Sequence, residues 1–473
     1  MSQNNRFAAA EKVVFDAETR GIAMVATDIA FPTTTGFRKN RALALSAFAF
    51  MVCFAVWTLF SIVGVKIKQE LSLDDSEFGL LIATPVLTGA LSRIFLGLLS
   101  DRFGGRRVFA ILMLVTSGAV YLVSAVSSYP MFLVTALGLG FAGGSFAVGV
   151  SYVSNWFDRD HQGTALGIFG VGTIGTAVTS FGAPLLVNAF GWRETVVLYA
   201  AVLALTSVVF FLLTNEDPAS AARASGALKP RKLADQLAPL ARLQVWRFSL
   251  YYFFVFGAFV ALASWLPRYY MGMYGLPLAK AGLLTTAFAL PAAVFRALGG
   301  WISDRIGARM VMYATFIASV VVCFALSYPQ TDYVVHGIKG TIAFSFGIPL
   351  PAFVSLTVVL GFFMAIGMAA VYKHIPVYYP EHVGAVGGLV VAIGGLGGFF
   401  LPIAFGVMND VTGVWTSCFM LLFLLVAAAL GWMHGAIRLM ERHKIEALKT
   451  LPQLPEMTEL HEPKHATAMS ATR

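Results

Sequence analysis

Polar residues interrupt this chain at regular intervals. Between the interruptions lie twelve apolar blocks, at about 43–65, 78–100, 107–126, 130–154, 164–188, 195–213, 246–270, 280–303, 309–328, 352–372, 384–407 and 415–437. An apolar block of about twenty residues is the length of helix that crosses a bilayer. Most blocks are apolar all round, so their helical periodicity is weak, as it is for helices that face lipid or one another. The pattern predicts an all-α membrane protein with twelve transmembrane helices.

One interval is longer than the rest. Asn215–Gln244 is rich in Ala, Pro and charge and separates block six from block seven. The chain therefore divides into an N-terminal segment 1–42, a six-helix half 43–213, a linker 214–245, a second six-helix half 246–437 and a tail 438–473. The interval 329–351 contains an apolar piece, Thr341–Phe353, too short to span and read as re-entrant.

Composition supports the membrane reading. Of 473 residues, 58% are hydrophobic and 12% charged, against about 25% charged in soluble proteins. The first forty residues carry charges and no apolar block, which argues against a cleaved signal peptide and for a cytoplasmic amino terminus. The net charge of +9 sits in short loops beside apolar blocks. That is positive-inside patterning and not a nucleic-acid surface. Arg223, Lys229, Arg231, Lys232 and Arg242 place the linker in the cytoplasm, and Arg438, Arg442 and Lys444 place the tail there too. Cys53, Cys323 and Cys418 are too scattered for a metal site or a disulfide framework. The glycine run Gly170–Gly175 lacks the βαβ context of a dinucleotide site, and there is no P-loop. No enzyme chemistry or cofactor is expected.

Two stretches repeat each other. LSRIFLGLLSDRFGGRR places Arg93 inside an apolar block, eight residues before Asp101; FRALGGWISDRIGAR does the same with Arg296 and Asp304. His161-Gln-Gly163 and His382-Val-Gly384 echo each other at the starts of spans five and eleven. Such repeats define two parallel halves with a substrate site between them. The loops predict a latch that opens as the halves rock: Asp101, Arg102 and Arg106 in one, Asp304, Arg305 and Arg309 in the other. The two arginines are costly, at least ~2.5–3.5 kcal/mol each in the bilayer core. No Asp or Glu lies deep in any of the twelve blocks to neutralise them. A guanidinium presents a planar fork that suits a small planar oxyanion. One arginine from each half is therefore expected to clamp an anion between the halves.

The loop pattern Gly97-x-x-x-Asp101-Arg102-x-Gly104-x-Arg106-Arg107 resembles the signature of the major facilitator superfamily. The run Gly384–Pro402, with FAGGSF at 141–146 and GIFGVGTIG at 167–175, resembles more narrowly its nitrate/nitrite porters. The resemblance covers about 43–437 and implies the major facilitator fold. It implies that Arg93 and Arg296 are the anion-binding pair and that Phe146, Tyr252 and Phe256 are the aromatics against the anion. Gly170, Gly172, Gly175, Gly394, Gly395, Gly397 and Gly398 are expected beside the substrate or in close helix packing. The family often carries an asparagine where this chain has Thr173. His374 is a candidate proton relay, against the plainer reading of a structural residue at a helix end.

The expected function is transport of nitrate, and of nitrite, across the cytoplasmic membrane by a monomer with both termini inside. Moving one anion into a negative cell costs ~2.3 kcal/mol per 100 mV. Proton-coupled nitrate uptake offsets this cost and is the branch of the family the motifs resemble. Electroneutral nitrate/nitrite exchange avoids it and suits a chain without deep carboxylates. An anion sensor, or a carrier of another small anion, is a further alternative.

Overall fold

The computed structural model describes residues 36–157, 159–218, 241–378 and 383–450. The linker segment 219–240, the chain ends and His382 lie outside the described residues, and of Asp101 and His161 only the backbone is described.

Among the described residues, twelve helices are long and apolar enough to cross a membrane: Gly36–Leu71, Asp75–Gly97, Gly105–Ala125, Tyr129–Ser154, Ala165–Phe190, Trp192–Leu213, Leu243–Tyr274, Leu278–Arg296, Ala308–Leu326, Leu350–Ile375, Val386–Thr412 and Ser417–Arg442. We number them as spans one to twelve. Several run one or two turns past the apolar blocks, because amphipathic ends such as Lys66–Leu71 continue the helix beyond the hydrophobic stretch. Span two starts at Asp75, where Asp74 forms a capping box with Glu77. That box satisfies the helix's first amides.

The two halves repeat in their packing. Span two packs on span four as span eight does on span ten, and span one on span five as span seven does on span eleven. The arginine-bearing helices end alike. Gly104 (φ 89°, ψ 135°) closes span two and Gly307 (φ 86°, ψ 137°) closes span eight. A side chain rarely tolerates this backbone, so the glycine of the repeated loop is a geometric requirement. The halves meet crosswise, span two against span eleven and span five against span eight. Gly79 lies on the backbone of Pro402, and Gly282 on that of Ser180.

Residues 331–346 correct the re-entrant reading. They form an antiparallel hairpin, Thr331–Gly337 with Gly340–Phe346, whose second strand is exposed along its length. Tyr333 stacks on Phe344 across the pair at 5.2 Å, the kind of cross-strand aromatic contact that stabilises a hairpin.

Candidate anion-binding site

Four spans lose regular helical geometry near mid-length. Span four has a 3-10 turn at Phe141–Gly144, span five one at Val171–Ile174, span seven a π turn at Phe253–Ala258, and span eleven a break at Leu396. Inside a membrane, irregular backbone survives where it lines a cavity or is buried in protein. Here the four irregularities flank one small cavity of about 10 Å³ between the halves. Phe50, Phe54, Arg93, Phe146, Thr173, Tyr252, Phe256, Arg296 and Val391 line it. The structure thus brings both arginines and all three aromatics of the sequence reading to one place.

The arginines are held differently. Arg93 is 6% exposed. Its Nε donates to the Gly143 carbonyl at 3.2 Å, and its Nη1 donates across the halves to the Val391 carbonyl at 3.4 Å. The 3-10 turn in span four helps present that first carbonyl. Trp57, Phe146 and Phe256 ring the guanidinium at 5.5–5.9 Å, within cation–π range. Arg296 is half-buried; its Nη2 donates to the Tyr252 hydroxyl at 3.3 Å, and Tyr372 lies 5.7 Å away. Neither arginine has a carboxylate partner among the described residues.

Tyr252 is pinned by its ring, stacked on Phe256 at 5.1 Å and edge-on to Tyr372 at 5.5 Å. Because its oxygen accepts from Arg296, its own proton remains free to be donated. Tyr372 escaped the sequence reading; its position one turn of helix before Ile375 carried no signal distinct from core. Thr173 lines the cavity, but its hydroxyl donates to the Gly170 carbonyl at 3.0 Å.

The glycines divide. A side chain at Gly175 would strike the backbone of span one, and one at Gly394 would lie 2.7 Å from Tyr252. Gly172, Gly397 and Gly398 are packed likewise, Gly395 faces Arg93, and Gly170 faces open space.

The contacts of the repeated loops stay within their own halves. Arg106 donates to the Phe211 carbonyl, Arg102 lies against Phe103, and Arg305 lies over Trp301. Asp304 pairs with Lys373 and not with the loop arginines, while Arg309 pairs with Glu441 at 2.7 Å. His374 stacks on Phe248 at 5.6 Å and lines a different cavity, away from the central one.

Sequence reasoning missed a second polar cluster, at the end opposite these loops. Asp75 is 5% exposed and accepts from Lys68 at 2.9 Å, from Arg268 at 3.1 Å, and from Asn409. Asp410 of span eleven accepts from the Ser76 amide at 2.7 Å and from the Ser76 hydroxyl. Spans one and two are thereby tied to spans seven and eleven, across the halves.

Twelve spans in two crosswise-packed halves, with a charged cavity at their junction, define a transporter fold. A family model described as Major Facilitator Superfamily matches residues 45–348 and 274–466, and the chain belongs to that family of membrane transporters. Within it the chain falls among the nitrate/nitrite porters. It is 42% identical over 426 residues to "Probable nitrate/nitrite antiporter NarK1" of Thermus thermophilus, covering 87% of this chain and 94% of that one. It is 31% identical over 385 residues to the "Nitrite extrusion protein" of Bacillus subtilis, covering 81% and 91%. A solved bacterial homolog of the human lysosomal transporter Spinster, in an inward-facing, unoccupied conformation, shares the fold. Its TM-score is 0.68 at 15% identity, over 86% of this chain and 98% of that one.

Proposed function

We propose that the chain carries nitrate and nitrite across the cytoplasmic membrane by alternating access, as a monomer with both termini inside. One observation carries this reading. Among the described residues, the cavity between the halves is lined by two arginines, one from each half, by aromatic rings, and by no carboxylate. A site with two uncompensated positive charges favours an anion. The guanidinium of Arg93 uses Nε and Nη1 on backbone carbonyls, which leaves Nη2 for an oxyanion. Arg296 and the Tyr252 proton approach from the other half. Phe146 and Phe256 give flat walls that suit a planar ion and exclude bulkier ones.

Exchange of nitrate for nitrite fits the lining better than proton symport. Among the described residues the central cavity holds no Asp, Glu or His to load a proton, and His374 sits elsewhere. Proton-coupled uptake is the second reading, supported by the resemblance of the motif Ala370–Pro380 to that branch of the family. The Asp75 cluster is proposed as the outer gate, with the repeated loops 101–107 and 304–309 as the inner gates.

Arg93→Lys tests the clamp. An ammonium cannot hold Gly143, Val391 and an anion together, so exchange in proteoliposomes loaded with nitrite should fall at least a hundredfold. Near-normal exchange by this variant removes the clamp reading.

A further inference from the structure

A larger cavity, about 280 Å³, lies wholly within the second half, at the end that carries the Arg309 loop. It is walled by spans seven, nine, ten and twelve. Arg247 lines it and is 8% exposed, yet its Nε has no hydrogen-bond partner. Phe248 lies beneath the guanidinium at 5.7 Å and is stacked in turn on His374. Glu441 is the one carboxylate among the lining residues, and Arg309 already holds it at 2.7 Å. Met433, Ile437 and Met440 of span twelve make an apolar wall opposite.

The matching corner of the first half is filled by the chain itself. Residues 215–217, just after span six, occupy it. Arg41 donates to Asn215 at 2.9 Å, Tyr152 donates to the Asn215 carbonyl at 2.6 Å, Asn155 donates to Asp217 at 2.8 Å, and Arg107 pairs with Glu216 at 3.0 Å. An acidic peptide thus serves the polar groups of that corner. In the second half, span twelve continues as helix through to Thr450, and among the described residues no such segment occupies this corner. Arg309 finds Glu441, and among the described residues Arg247 finds no carboxylate.

We infer that this cavity is a second ligand site, which takes a phosphate-bearing ligand with its anionic group on Arg247. The volume is many times the ~10–15 Å³ that one water needs on the same measure, so nitrate would leave most of it empty. A phosphate carrying a glycerol or acyl portion fills both the basic and the apolar wall. Trp246, 46% exposed beside Arg247, is the kind of residue that sits at a membrane interface. Basic pockets between helices at that level receive anionic headgroups. The site does not depend on which anion the central cavity carries.

The test uses the full-length protein, purified without added lipid. Phosphatidylglycerol, phosphatidylcholine and soluble glycerol 3-phosphate are each titrated, with binding read by native mass spectrometry and by the unfolding midpoint. Phosphatidylglycerol or glycerol 3-phosphate should bind, and phosphatidylcholine should not. Retention of phosphatidylglycerol alone identifies a lipid headgroup as the source, and response to glycerol 3-phosphate identifies a soluble one. Arg247→Gln should weaken binding about tenfold while anion exchange through the central cavity continues. Met440→Glu, a change on an exposed helix face, should weaken it similarly by repulsion, which covers the case where Arg247→Gln fails to fold. Absence of binding by both phosphate ligands, or equal binding by wild type and a folded variant, overturns the proposal.

Discussion

Arg268 of span seven donates to Asp75 of span two at 3.1 Å, so this carboxylate joins the two halves at the end opposite the repeated loops. The same carboxylate accepts from Lys68 of its own half. Asp75→Asn removes the charge and leaves both cations unpaired in a largely buried setting. Breaking such a pair costs on the order of 3 kcal/mol, roughly a hundredfold in the balance between outer-closed and outer-open states. The variant should fold and shift toward the outer-open state. Ile403→Cys, placed on span eleven near Gly79, should then react faster with an impermeant maleimide in the Asp75→Asn background. Equal labelling in both backgrounds would show that the carboxylate does not hold the gate.

Tyr252 and Arg296 form the other informative pair. The hydroxyl accepts from Arg296 at 3.3 Å, while the ring is fixed independently by Phe256. Tyr252→Phe should therefore leave the fold unchanged. It removes one donor to the anion and one anchor for Arg296, each worth about 0.5–1.5 kcal/mol. Nitrate affinity should fall about five- to 150-fold, read by calorimetry on the purified protein. An unchanged affinity would place the anion away from this hydroxyl.

The arginine pair was legible because a charge inside an apolar block is expensive and its repetition eight residues before an aspartate is not accidental. The aromatics were legible only through motif resemblance, since Phe146 and Phe256 read as core without it. The outer cluster was not legible. Lys68, Asp75, Arg268 and Asp410 come from four helix ends; hydropathy cuts three of those spans short of the polar residue, and Arg268, inside block seven, had no visible partner in sequence. The hairpin at 331–346 was misread because a short apolar run cannot be told from a buried or re-entrant segment by periodicity alone. The partner of Asp304 was missed for a similar reason: Lys373 lies at the far end of another helix, with no local sequence link.

The glycine stripe of span eleven separates into packing and open positions. At Gly394 an added methyl would meet Tyr252 at 2.7 Å, whereas at Gly388 it would meet nothing. Overpacking of this kind costs about 1–3 kcal/mol. Gly394→Ala should displace Tyr252, lower the unfolding midpoint and weaken nitrate binding together. Gly388→Ala should behave as wild type in both measurements. If both substitutions are neutral, the approach of span eleven to span seven is looser than this packing requires.

The coupling mode has a direct electrical consequence. One-for-one exchange of nitrate and nitrite moves no net charge, whereas uptake of one nitrate with two protons carries one positive charge inward. A membrane potential of 100 mV acts on one charge with ~2.3 kcal/mol, equivalent to about a fiftyfold change in the accumulation ratio. The central cavity lacks a carboxylate or imidazole among the described residues, so exchange is the expected outcome. Nitrate entry into proteoliposomes should require internal nitrite or nitrate, and its extent should be unmoved by a valinomycin-imposed potential or a pH gradient. Entry into empty vesicles that grows with an inside-negative potential and an inward proton gradient would instead establish symport. It would also direct the search for the proton carrier beyond the residues that line this cavity.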